Sequence, residues 1–203
     1  MTRIRIYDGT RTNAAGLAVG EALREIAKYG IIEVNPKPGS TDIEGYDLVR
    51  GAENRAYESR RKQVYLLGLA NEVITSKAQE GKQTLIITEQ DLYAVGLNWC
   101  FGSYFPDIYG GKHLVISTYR TGTGPLLTHL ATHELGHMFG VAYRGRRNTE
   151  ENLGSHCTNF CVMEQRLTVD KMKEHARKLA LRGLTFCSEC QTDLRSNLRQ
   201  QKT

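Results

Sequence analysis

The stretch HELGHMFG, His133 to Gly140, constrains this chain more than any other. His133 and His137 are four residues apart, so on a helix they lie about 6 Å apart along the axis and point the same way. One Zn²⁺ can take both, because each Zn–N bond is about 2 Å. Glu134 lies beside them, where a carboxylate can take a proton from metal-bound water. The helix has independent support. Pro125 suits a first helical turn, with Thr123 or Gly124 before it, and Gly140 suits the position just past the end. Leu127, Ala131, Leu135 and Met138 follow a helical repeat and form one apolar face. Leu130, His133, Glu134 and His137 cluster on another. A helix over about 125–139 is therefore expected to pack on a core with one face and to hold metal with its neighbour.

A catalytic zinc usually needs a third protein ligand and a fourth position left open. The zinc-peptidase pattern HExxHxxGxxH, followed by a methionine turn, would place that ligand where this chain has Tyr143. The next candidate is His156, beyond a polar insertion whose added length costs little entropy. His156 is the expected third ligand, with Tyr143 or an acidic side chain as alternatives. His129 is a rival four residues before His133. Three histidines at i, i+4 and i+8 span about 12 Å of helix axis, too much for one zinc, so His129 is expected to pack or to support.

The cysteines add a second constraint. Cys157 and Cys161 form a C-x3-C pair, Cys187 and Cys190 a C-x2-C pair, with 25 residues between. Such pairs suit tetrahedral thiolate coordination of a second, structural zinc; two disulfides in an exported protein, or free buried thiols, are the alternatives. His156 abuts Cys157, so the two metal sites would share a backbone segment. Cys100 is expected to be a buried small hydrophobe. Met163, two residues after Cys161, is either a core methionine or a floor beneath the zinc histidines. His113 and His175 receive no role.

Taken in order, Ile4 and Ile6 alternate with arginines as a first strand. Asn13 to Tyr29 reads as a helix, IIEV at 31–34 as a strand, and 35–45 as a loop. A helix is expected over much of 53–78. LIIT at 85–88, NWCFGSYF at 98–105 and HLVIS at 113–117 read as strands. Residues 144–154 are expected to be an exposed loop. Thr168 can cap a helix ending at Gly183, and the tail from about Asp193 is expected to fray. This order predicts an α/β (α+β) fold: a mixed twisted sheet flanked by helices, with a small C-terminal zinc-knuckle subdomain. Residues 1–140 would form the sheet and helix part, and 141–203 the part with the third histidine, within one catalytic domain.

The chain has 203 residues, a net charge of +5 and a pI near 9.0. The basic residues are spread out, so a mildly basic soluble protein is expected rather than a nucleic-acid binder. No run of about 18 apolar residues suits a membrane helix. MTRIRIYDGT lacks the apolar core of a secretory signal, which predicts a cytoplasmic location. A monomer is expected.

HELGHMFG, HCTNFCVM and FCSEC together resemble the archaemetzincins, zinc-dependent metallopeptidases within the metzincin group. ITEQDLYAVGLNWCFGSYF and GKHLVISTYR resemble the segments that precede the family's active-site helix. The resemblance covers about 85–194. It departs from the family pattern in the 15 residues between Gly140 and His156 and in the three, rather than four, within the first cysteine pair. The resemblance implies His133, His137 and His156 as catalytic zinc ligands, Glu134 as base, and Met163 as the turn methionine. It implies Cys157, Cys161, Cys187 and Cys190 as structural-zinc ligands. Two zinc ions and a peptide or protein substrate follow, the substrate pairing with strand HLVIS as an added β-strand. A zinc-scaffolded binding module without hydrolysis, and a protease acting on DNA-bound proteins, are the other readings.

Overall fold

The computed structural model describes residues 2–39, 43–76, 83–108 and 110–200. Five strands form the central sheet: β1 Thr2–Asp8, β2 Ile32–Asn35, β5 Gln83–Thr88, β8 Gly102–Ile108 and β9 Gly111–Ser117. Their spatial order is β2-β1-β5-β9-β8. The first four run parallel, and β8 closes one edge antiparallel to β9. A second, four-stranded sheet holds β3 Tyr57–Glu58, β4 Gln63–Tyr65, β6 Leu92–Ala94 and β7 Leu97–Cys100. The strands β10 Thr149–Glu151 and β11 Ser155–Cys157 form a separate hairpin. The helices are α1 Asn13–Ala27, α2 Ile43–Ala56, α3 Leu66–Ser76, α4 Pro125–Met138, α5 Val169–Leu181 and α6 Ser188–Gln200.

Strand periodicity divides the core into two layers. Side chains alternate across a strand, and the registers align them in rows. Ile6, Leu85 and Leu114 lie side by side and enter one apolar cluster. Tyr7, Ile86 and Val115 lie in the next row and enter the other. The first cluster is covered by α1, α4, α5 and α6, the second by α2 and α3. The central strands β5 and β9 are almost continuously apolar, as strands buried on both faces must be. Leu127, Ala131, Leu135 and Met138 of α4 are all fully buried in the first cluster, as the helical repeat predicts.

Several expectations need correction. The helix expected over 53–78 is two helices, α2 and α3, separated by the β3–β4 turn, where Lys62 takes a left-handed backbone. Its last residues, 77–78, lie outside the described residues, as do 40–42 of the expected loop. That loop also ends early, because α2 begins at Ile43. Strand β6 escapes a reading by periodicity because it has only three residues. Residues 144–154 are not simply a loop: 149–151 pair with 155–157. The tail is not frayed at Asp193, because Leu194 and Leu198 bury the inner face of α6 in the first cluster. Among the described residues, no helix is long and apolar enough to cross a membrane.

Candidate metal centre

Helix α4 starts as its sequence predicts, with Gly124 as cap and Pro125 in the first turn. It stops at Gly140, whose φ of +72° suits glycine. Asn197 of α6 finishes that end, its side-chain amide donating to the carbonyls of Phe139 (2.9 Å) and Gly140 (3.1 Å). These are carbonyls that a helix terminus leaves without partners.

His133 and His137 leave α4 on the same side, their Nε2 atoms 3.1 Å apart. His156 comes from β11. Its ring stacks on His133 at 5.2 Å and meets His137 edge-on at 4.9 Å. The ligand atoms of the three lie within 4.8 Å of one another. Tetrahedral zinc with bonds of about 2.0–2.1 Å holds nitrogens about 3.3 Å apart, so the arrangement fits one ion. The tautomers fit as well. Nδ1 of His133 donates to the Val162 carbonyl (2.7 Å) and Nδ1 of His156 to that of Gly154 (3.2 Å), which leaves each Nε2 with a lone pair. Burial, then the charge of His156, pushes the His133 pKa down to about 3. Burial and the neighbouring histidines lower His137 too, and burial lowers His156. All three imidazoles are therefore neutral near pH 7, the form that binds metal.

Glu134 faces the same space, and burial lifts its pKa to about 7. Met163 lies under α4 at Gly136, where a Cβ would overlap its Sδ. The glycine inside HELGH thus admits the methionine beneath the histidines. His129 stays outside the group and meets His175 edge-on at 5.4 Å. Tyr143 is 56% exposed and lines a cavity together with Glu134, His137 and His156.

The second group is Cys157, Cys161, Cys187 and Cys190. Sγ of Cys157 lies 3.7 Å from that of Cys187, and Cys161 lies 3.7 Å from Cys190. Zinc–sulfur bonds of about 2.3 Å place tetrahedral sulfurs about 3.8 Å apart. A disulfide would need about 2.05 Å, and all the cysteines are free. Mutual S–H hydrogen bonds, that of Cys161 foremost, lower the Cys157 thiol to about 7. Hydrogen bonds from the other three, Cys157 first, push Cys187 below the ordinary thiol range. The same hydrogen bonds, that with Cys157 first, push Cys161 and Cys190 above the ordinary thiol range, so the four thiols hold their protons unequally. Arg146 sits against it, buried, with Nη1 3.4 Å from Cys190 Sγ and paired to Asp193 of α6. Four thiolates around a dication carry a net charge of about −2, and Arg146 offsets part of it. Asp193 also accepts from the Ala142 amide at 3.1 Å.

Arg146, Asp193 and Asn197 do not stand out in the sequence, where Arg146 belongs to a basic exposed run. Nothing in its spacing marks it. Cys100 is half-buried and lines the cleft beside Glu134; burial, then the charge of Glu134, lifts its pKa to about 12. The strand expected to offer an edge, HLVIS, is β9, which β5 and β8 flank on both sides. The free edge beside the centre is β8, whose Gly102 and Ser103 line the cleft.

Two cavities open from the centre, of about 510 and 530 Å³, and both are bounded by Glu134 and His156. No family model matches the chain. Relatives by sequence are informative. The chain is 28% identical over 120 residues to the archaemetzincin of Archaeoglobus fulgidus, a match that covers 56% of this chain and 61% of that one. It is 27% identical over 142 residues to that of Nanoarchaeum equitans, covering 70% and 68%. Both relatives are archaemetzincins, and the chain is similar to them at 27–28% identity.

The crystal structure of archaemetzincin from Methanopyrus kandleri superposes with a TM-score of 0.65 at 24% identity, over 98% of this chain and 96% of that one. The A. fulgidus archaemetzincin structure gives a TM-score of 0.63 at 22% identity, over 95% and 99%. These likenesses establish the archaemetzincin fold. The sequence match with the A. fulgidus relative spans less than two thirds of that protein. Archaemetzincins are zinc proteins, and the three-histidine and four-cysteine groups suit two zinc ions here.

Proposed function

We propose that this chain is a zinc-dependent metallopeptidase, with Glu134 as general base. The observation that carries the reading is the convergence of three neutral imidazoles beside a half-buried carboxylate in an open cleft. His133, His137 and His156 would hold the catalytic ion through Nε2. Zinc, when bound, supplies Lewis acidity that acidifies water and polarises a carbonyl oxygen. Glu134 takes the proton of the attacking water on a carboxylate oxygen and passes it to the leaving amine. The β8 edge orients an extended peptide by strand pairing. Met163 supports the two α4 histidines from below. Cys157, Cys161, Cys187 and Cys190 hold the structural ion, which fixes the neighbouring His156. Residues 1–140 and 141–203 act as two parts of one catalytic domain.

Glu134→Gln tests the proposal. Peptide hydrolysis is expected to fall by about 10²–10⁴-fold, while elemental analysis still finds two zincs per chain. A variant that cleaved as fast as the parent would remove Glu134 from the mechanism. The binding-module reading weakens for a structural reason: Arg146, one charge of the basic run, is spent internally on Asp193.

A further inference from the structure

The 15 residues between Gly140 and His156 do more than carry the chain to its third histidine. They build the β10–β11 hairpin, in the register Thr149↔Cys157, Glu150↔His156 and Glu151↔Ser155. Its tip is Asn152, Leu153 and Gly154. Leu153 has φ +52°, a left-handed backbone that disfavours leucine and suits glycine or asparagine. Its side chain is also 65% exposed. A lone exposed leucine says little, but backbone strain concentrates where a ligand is handled.

The position is informative. Leu153 lines both cavities, as do Glu134 and His156. The tip is held there on two sides. Gln165 Nε2 donates to the Asn152 carbonyl (2.6 Å), and the Asn152 amide donates to the Gly154 carbonyl (2.9 Å). That same Gly154 carbonyl accepts from the His156 ring. The turn that orients the metal-binding imidazole therefore also presents Leu153 to the cleft. The larger apolar stretch of wall lies on one side, with Trp99, Phe101, Leu130, Leu167 and Met172.

We infer that Leu153 is a specificity-determining residue, closing over the substrate at the catalytic centre and selecting a large apolar side chain for the Trp99-lined cavity. This rests on the cleft's being a peptide site, as proposed above. The polypeptide partner is thus one with a leucine- or phenylalanine-sized residue beside the bond at the centre. Glycine or alanine there leaves Leu153 without a contact.

The test uses zinc-loaded Glu134→Gln protein, so that binding is read without turnover. Trp99 is the sole tryptophan of the chain and lines the cavity, so its fluorescence reports occupancy. The probes are acetylated hexapeptide amides of glycine and alanine in which one Leu or Phe is moved through the central positions. With Leu153 present, at least one placement is expected to bind at least tenfold tighter than the all-small peptide. Leu153→Gly is expected to cut that ratio at least fivefold, and Leu153→Met to keep it. Glycine is at ease at this φ, so the thermal midpoint and the zinc content should hold or rise in Leu153→Gly. An unchanged ratio in that variant, or no preference in its parent, overturns the inference. Turnover by the Glu134 protein separates the two readings. A Leu153-dependent preference without hydrolysis would sink the peptidase and keep this residue's role. Hydrolysis whose preference ignores Leu153→Gly would do the reverse.

Discussion

The histidine group and the cysteine group lie next to each other in the chain and are built on opposite plans. The histidines come from a long helix and a hairpin, and two cavities of about 510 and 530 Å³ reach them. The cysteines come from the end of β11, two turns and α6, and three of the four are fully buried. A buried guanidinium lies against their sulfurs. Open coordination suits chemistry and closed coordination suits folding. The contrast teaches that the surroundings, more than the ligand set, separate the two roles. One peptide bond, between His156 and Cys157, joins them.

The strongest challenge to that contrast is to remove one ligand from each group. Cys161→Ser is expected to lower the zinc content from two to below one and the thermal midpoint by more than about 10 °C, because structural zinc contributes folding energy outright. His156→Ala is expected to lower the content from two to one and the midpoint by only about 2–4 °C. Elemental analysis with thermal scans decides it, and equal losses would erase the distinction. Next in size is Arg146→Met. It leaves Asp193 buried without its partner, a loss of about 3–5 kcal/mol. Denaturant titration measures this, and the cysteine site should also yield its zinc to a chelator sooner than in the parent. A neutral outcome would mean that the cluster needs no nearby cation. The smallest expected effect is that of Gly136→Ala, whose added methyl meets Met163 Sδ. Overpacking there costs about 1–3 kcal/mol. Turnover should fall with both zincs retained, and Met163→Ala in the same protein should restore part of the stability.

The parts of this architecture that are legible in the sequence are the locally encoded ones. The spacing of His133 and His137, the apolar repeat of α4, and the alternation on β1 depend on residues a turn or two away. The cysteine pairs are legible because their short spacing is itself the chemistry. What stays hidden depends on partners far along the chain. Helix α6 looks too polar to be ordered, yet its Leu194 and Leu198 meet the first cluster, and Leu198 packs where Gly30 leaves room. Arg146 reads as solvated until Asp193, 47 residues on, is placed beside it. The span 53–78 keeps helical apolar spacing on both sides of a turn that periodicity does not register. The edge strand is misread for the same reason: pairing order is a property of the sheet, not of any strand.

The position of Cys187 and Cys190 also sets a timetable. Chains fold as they are made, from the N-terminus onward, and these two cysteines leave the ribosome 26 and 29 residues behind Cys161. Until they arrive, the segment bearing His156 has no sulfur cage to anchor it, and Asn197, later still, has not yet finished the end of α4. The order of synthesis thus completes the cleft only after the sheet and the active-site helix beside it already exist.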